Sequence, residues 1–186
     1  MTTDQVSFFL AVLGFVALAL AAAAVVVLVG SAPAAPDGVR SRLGPVRAAL
    51  GRAGVGVAFA IALTATVGSL YYSEIAHFVP CRLCWYQRIG MYPLVVVLGV
   101  ALVVGDRGVW RYALPVAALG GAVSLYHYQL QLFPGQGSGA CGPEASCTLR
   151  YIEQFGFVTI PFLALCGFLS ICAPPLLGSS RQTRGD

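Results

Sequence analysis

The chain has 186 residues, of which 58% are hydrophobic and 10% charged, and its mean hydropathy is +0.82. A soluble domain carries about 25% charged residues, so this composition excludes a water-soluble globular protein and makes a bilayer the solvent for most of the chain. The net charge of +4 comes from 11 arginines and no lysine, spread between apolar runs; it reads as membrane-flanking charge, not as a nucleic-acid footprint.

Five long uncharged runs follow in chain order. Val6 to Val29 is 24 residues without a charge, above the roughly 20 needed to cross a bilayer. A cleaved signal peptide competes with this reading, because Ser31-Ala32-Pro33-Ala34 resembles a cleavage site. The start MTTDQVS has no basic residue and carries Asp4, which favours a retained membrane helix. Ser31 to Ala53 is rich in Pro, Gly, Ala and Arg and reads as a loop of moderate length. Ala53 to Ser73 is the second helix. Glu74 to Arg88 is short and more polar. Ile89 to Gly105 is only 17 residues, so the third helix is expected to begin near Cys84 or Trp85, with Pro93 as a kink point. Asp106 to Arg111 reads as a tight turn and Tyr112 to Phe133 as a fourth helix stopped by Pro134-Gly135. Gly135 to Phe155 is a polar loop. Gly156 to Leu177 is the fifth helix, with Pro161 near its start, and a short polar tail ends the chain.

The arginines orient these runs. Arg40, Arg42, Arg47 and Arg52 follow the first, Arg107 and Arg111 the third, and Arg181 and Arg184 the fifth, which makes eight on one side. Arg82, Arg88 and Arg150 lie on the other. The positive-inside rule puts the eight in the cytoplasm, the N-terminus outside and the C-terminus inside.

That topology places Cys81, Cys84, Cys141 and Cys147 on the outer, oxidising face, where disulfides persist. Cys166 and Cys172 lie within the fifth run and read as small apolar residues; six apart on a helix, they point to different faces. Cys81 and Cys84 form a C-x-x-C pair, a spacing typical of redox-active disulfides. Arg82, Arg88 and a helix N-terminus favour thiolate, which stabilises the reduced pair and makes the disulfide a stronger oxidant. Cys141 and Cys147 flank Gly142-Pro143, residues that favour a turn bringing the sulfurs together. A structural staple is one reading of that pair, but it closes so short a loop that it constrains little. A second dithiol facing the first is what a relay needs. Zinc is the chemical competitor; against it, C-x5-C is wider than zinc ribbons use and the face is oxidising.

Two further residues are unusual. Arg88 lies one helical turn past Cys84 on the same face, ~6 Å deeper. His127 is seven residues before Pro134, ~10 Å below the end of its helix. Ionisable residues at membrane depth mark functional sites, although a snorkelling Arg88 and a hydrogen-bonded core His127 are the bland readings. A dithiol at this level needs an electron acceptor, and a quinone is the one a bilayer offers. Arg88 would stabilise negative charge developing on a quinone oxygen, and a neutral His127 could bond the other carbonyl. Trp85 and Tyr86 could line such a pocket.

The strings PCRLCWYQRIGMYPL and LYHYQLQLFP resemble the DsbB/BdbC family of disulfide-bond formation proteins over about Arg52 to Leu177. The resemblance implies a four-helix membrane bundle with bound quinone, ubiquinone or menaquinone, and oxidation of a thioredoxin-like (DsbA-like) extracytoplasmic partner. By position it implies that the partner attacks Cys141, that Cys147 is its disulfide mate, and that Cys81 and Cys84 reoxidise them, with Cys84 adjacent to quinone. It makes Arg88 the quinone-side arginine and His127 the histidine on the opposing helix. Residues 1–51 match nothing in the family core, and the second cysteine pair is closer together than in the longest-looped members. Leu149, Ile152 and Phe155 recur at three-residue spacing, as in a short helix lying on the membrane.

The expected fold is an all-α integral membrane protein: a four-helix transmembrane bundle plus one additional N-terminal transmembrane helix. The expected division is 1–53 for that helix and a cytoplasmic loop, 54–177 for the disulfide-forming domain and 178–186 for a cytoplasmic tail. The expected activity is that of a protein-dithiol:quinone oxidoreductase in a bacterial cytoplasmic membrane, with no bound metal and with the partner, the quinone pool and the bilayer as its contacts. A vitamin-K-epoxide-reductase-like enzyme would carry its C-x-x-C after the loop pair, whereas here it comes first. A metal-binding or purely structural membrane protein is the non-enzymatic alternative.

Overall fold

The computed structural model describes residues 2–32, 36–136, 141 and 146–178. Gly142-Pro143 and the tail arginines Arg181 and Arg184 lie outside them. Five helices follow in order: α1 (Thr3–Gly30), α2 (Asp37–Leu70), α3 (Arg82–Val104), α4 (Trp110–Leu132) and α5 (Ile160–Gly178). Among the described residues α1, α2 with the turn that follows it, and α3 are each long and apolar enough to cross a membrane. α4 matches α3 at 23 residues, and α5 has 19. The chain is a multi-pass membrane protein.

Local chemistry explains the boundaries. α1 opens with a capping box in which Thr2 Oγ1 accepts the Gln5 N–H and Gln5 Oε1 accepts the Thr2 N–H. The segment expected as a loop after α1 is instead mostly helical, because α2 starts at Asp37 and runs 34 residues. Its Arg, Ala and Leu residues are strong helix formers and outweigh Gly44 and Pro45. Arg47 ties this exposed part of α2 to the end of α1 through Ser31 Oγ at 3.2 Å. α2 ends in a wider π-type turn, Tyr71–Ile75, with the Ala76 N–H on the Tyr71 carbonyl. α3 closes on Gly105 in the left-handed conformation (φ 73°), and Asp106 Oδ1 accepts the Gly108 N–H in the tight turn to α4. No helix forms over 149–155. A bridge between Gln154 and Val158 folds that segment back, with Phe155 and Gly156 at positive φ.

α2, α3, α4 and α5 pack as a ring in which each touches the next, and α1 lies outside it against α5 and α2. The core mixes small and large residues: Ala58, Ala62 and Ala117 beside Leu94, Leu98, Phe168 and Ile171. Small residues let membrane helices approach where no hydrophobic effect drives them together. Phe168 of α5 lies wholly buried against Gly90 of α3 and Gly120 of α4. A Cβ at Gly120 would overlap the Phe168 ring, whereas one at Gly44 would meet nothing within 4 Å. Gly120→Val should therefore destabilise the bundle by about 1–3 kcal/mol and lower Tm in detergent, while Gly44→Ala should leave Tm unchanged or raise it. Equal Tm values for Gly120→Val and the parent chain would refute this packing.

Candidate functional site

Cys81 is the N-cap of α3. Its backbone is extended, and its Sγ accepts the Cys84 N–H at 3.3 Å. The helix thus starts at Arg82, earlier than the expected Cys84 or Trp85, because the thiol supplies the acceptor a helix start needs and Leu83 and Arg82 propagate it. The free N–H groups of the first turn consequently favour a thiolate at Cys81. The two Sγ atoms are 3.1 Å apart.

His127, on α4, sits between the two cysteine pairs. Its Nε2 is 3.1 Å from the Cys147 carbonyl oxygen and 3.6 Å from Cys81 Sγ. A carbonyl only accepts, so Nε2 carries its proton toward Cys147. Cys141 and Cys147 are joined in a disulfide. Cys147 is 1% exposed, whereas Cys141 is only partly buried. All four sulfurs share one apolar cluster with Leu83 and Leu130. The segment after Cys147 is strapped to α4: Gln131 Nε2 donates to Leu149 O, Arg150 to Gln131 O, and Tyr128 Oη to Phe157 O. Tyr151 Oη donates to Val79 O just before Cys81, which closes the site from the other side.

Cys81 lies just ahead of the membrane-spanning stretch. The hydrogen bond from the Cys84 thiol does most to hold the Cys81 thiol well below its usual range. Burial opposes this, while His127 and the Cys84 N–H reinforce it.

Cys84 faces the other way as well. It borders an apolar cavity of about 360 Å³ bounded by α1, α2, α3 and α5, with Arg88 at the same end. The Arg88 guanidinium donates to Ser69 Oγ at 3.0 Å and to Ser69 O at 3.1 Å, and Tyr92 Oη donates to Ser69 Oγ. The Trp85 ring lies under Arg88 at 5.2 Å. His127 does not line this cavity. It lines, with Cys81, Cys84 and Gln131, a small separate one of about 20 Å³. The face of α4 that carries His127 turns toward α3's first turn and the Cys147 segment, and α5, α2 and α1 surround the large cavity. Sequence reading does not single out Ser69, the residue that fixes Arg88. A serine in an apolar run gives no sign of its partner 19 residues away.

The His127 contact generates a prediction with a definite sign. A thiol held low stabilises the reduced pair at every pH above its own pKa, so Cys81–Cys84 is the more oxidising for it. In a variant lacking Cys141 and Cys147, His127→Ala should move the thiolate absorbance of the reduced pair to higher pH. It should also lower the redox potential in glutathione buffers by about 30 mV, a tenfold change for a two-electron couple. An unmoved titration would remove His127 from the electrostatics of the pair.

A family model described as "Disulfide bond formation protein DsbB" matches residues 51–173, about two thirds of the chain. "Probable disulfide formation protein C 1" of Bacillus cereus is 54% identical over 117 residues, which cover 61% of this chain and 83% of that protein. "Disulfide bond formation protein C" of Bacillus subtilis is 53% identical over 112 residues, or 60% and 81% of the two chains. No solved structure matches. With its cysteine pairs gathered at one end of a membrane helix ring and two thirds of its length matched, the chain belongs to the DsbB family of disulfide bond formation proteins, membrane oxidoreductases that act on thiols.

Proposed function

We propose that the protein is a protein-dithiol:quinone oxidoreductase of a bacterial cytoplasmic membrane, with its N-terminus outside and its C-terminus inside. It draws electrons from a thioredoxin-like extracytoplasmic partner. The observation that carries this reading is the position of Cys84: one sulfur from the loop-pair cluster on one side, and at the mouth of the apolar cavity beside Arg88 on the other.

Exposure favours Cys141 as the point of entry, and the shared sulfur cluster supports the exchanges that follow. With both pairs oxidised, a partner thiolate attacks Cys141, the less buried of its pair, breaks the Cys141–Cys147 bond and frees the Cys147 thiolate. Cys147 attacks Cys81 and breaks the Cys81–Cys84 bond, which leaves Cys84 as a thiolate at the cavity. The partner's second thiol resolves the mixed disulfide and frees Cys141, which re-forms its bond to Cys147 and expels Cys81. Partner oxidation has then reduced Cys81–Cys84 by two electrons. His127 holds the Cys147 carbonyl beside Cys81 and eases departure of the Cys81 thiolate, since a lower-pKa thiol leaves faster.

The residues around the large cavity fit a quinone. The cavity is almost wholly apolar, and the guanidinium donors of Arg88 stand at the cysteine end, where a carbonyl acceptor would lie. When bound, a quinone accepts two electrons and two protons, and ubiquinone and menaquinone both meet these requirements. Ser69 holds the guanidinium in place, and Trp85 lies beneath it.

One observation favours a second reading: donor atoms of Cys81, Cys84 and His127 all lie within 4.8 Å of one another, as in a metal site. Two thiolates on one tetrahedral zinc, at about 2.3 Å each, would stand about 3.8 Å apart. The observed 3.1 Å between Sγ atoms suits a dithiol better.

The test is turnover of a reduced thioredoxin-like protein by the detergent-purified chain with a soluble quinone. Cys141→Ser should abolish reaction with the partner. Cys84→Ser should abolish quinone reduction while leaving the first attack on Cys141 intact, visible as oxidation of at most one equivalent of partner per chain. Ser69→Ala should raise KM for quinone about tenfold, because a hydrogen bond to a charged group is worth about 1.5–3 kcal/mol. Turnover that survives Cys84→Ser would defeat the relay, and stoichiometric zinc without turnover would establish the metal reading.

A further inference from the structure

α1 takes no part in the sulfur relay and lies outside the residues the family model matches, yet it forms one side of the large cavity. Leu10, Leu13, Gly14, Ala17 and Leu20 line that cavity. Leu10, Leu13, Ala17 and Leu20 recur every three or four residues, with Gly14 beside Leu13, so they form one stripe along the helix. The same stripe makes the seams on both flanks. A Cβ at Gly14 would lie 3.0 Å from Leu163 of α5, and one at Gly68 of α2 would lie 3.0 Å from Leu10. The two glycines thus allow α1 to close against both neighbours.

The helix is anchored at the cysteine end. Tyr72 Oη donates to Ser7 Oγ at 3.0 Å, with both residues buried. Tyr72 stacks on Phe78, and Phe78 on Tyr151, three rings that border the same cavity near Cys84. Phe8 and Phe15 clasp Phe155, in the segment that follows Cys147. The ten helical steps from Leu10 to Leu20 of α1 span ~15 Å. The cavity is therefore elongated: Arg88 and Cys84 stand at one end, and Leu20 and Val57 lie toward the other.

We propose that α1 is the closing wall of the acceptor site. It converts a lipid-facing cleft between α2 and α5 into a pocket that retains an isoprenoid quinone, with the ring toward Cys84 and the first prenyl units along Leu13, Ala17 and Leu20. This inference rests on the quinone reading of that cavity. It adds that an element outside the matched family region sets acceptor retention and the tail it admits.

Two measurements on the full-length chain test it. The first is the quinone retained per protein after detergent purification, together with uptake of a short-tailed ubiquinone. Leu13→Trp and Ala17→Phe should each reduce retention and affinity about tenfold, a loss of about 1.4 kcal/mol. Phe9→Trp, on the exposed face of α1, should not. Normal single-turnover oxidation of the partner would show that the variants are folded. The second is photolabelling of the unmodified chain with an azido-ubiquinone and peptide mapping, which does not depend on any variant folding. Label on the α1 peptide supports the proposal. Label confined to α2, α3 and α5, or undiminished retention in both bulky variants, overturns it. An unmodified chain that neither retains nor takes up quinone would defeat the acceptor reading itself, and this inference with it.

Discussion

His127 Nε2 lies 3.1 Å from the Cys147 carbonyl and 3.6 Å from Cys81 Sγ, so one edge of one imidazole touches both cysteine pairs. The rest of the site depends on that contact. A buried carbonyl left without a donor costs about 1–3 kcal/mol, and His127 supplies the donor from a helix whose position is already fixed by the short turn at Asp106. Gln131 and Arg150 extend the same attachment one turn further along α4. Cys147 and the segment after it are thereby docked on the bundle, with Cys147 buried and Cys141 partly exposed.

The second consequence is a division of the site into two compartments with Cys84 at the boundary. The histidine side is small and brings the sulfurs and one imidazole together. The arginine side is large and mostly apolar, and the hydrogen-bonded group of Arg88, Ser69 and Tyr92 stands at its cysteine end. A charge at membrane depth is tolerated when it faces the bundle interior and finds partners, and Ser69 provides both a hydroxyl and a carbonyl. The stacked rings of Tyr72, Phe78 and Tyr151 border this apolar space.

Much of this was legible in the residues. Membrane character, the helix order and the pairing of C-x-x-C with an arginine one turn on all follow from apolar run length and helical spacing. Three features were not. The helical start of α2 was hidden by Gly44 and Pro45, which punctuate a sequence but do not overrule the helix formers around them. The N-cap role of Cys81 was hidden because thiols are uncommon caps, and it moved the helix start two or three residues toward the N-terminus, to Arg82. The direction His127 faces is the third. Depth fixes a height in the membrane but not an azimuth, and helix rotation turned His127 to the sulfurs while α1, α2 and α5 enclosed the cavity. No local signal in α1 marks it as part of a site, since a uniformly apolar helix offers no face that stands out.

The central claim is that the two cysteine pairs communicate through Cys147 and Cys81. It is tested most directly by leaving only those two sulfurs at the site. In the doubly substituted chain Cys84→Ser, Cys141→Ser, mild oxidation followed by peptide mapping should recover a Cys81–Cys147 disulfide within one molecule. Recovery of both as free thiols, or only as links between molecules, would contradict the relay.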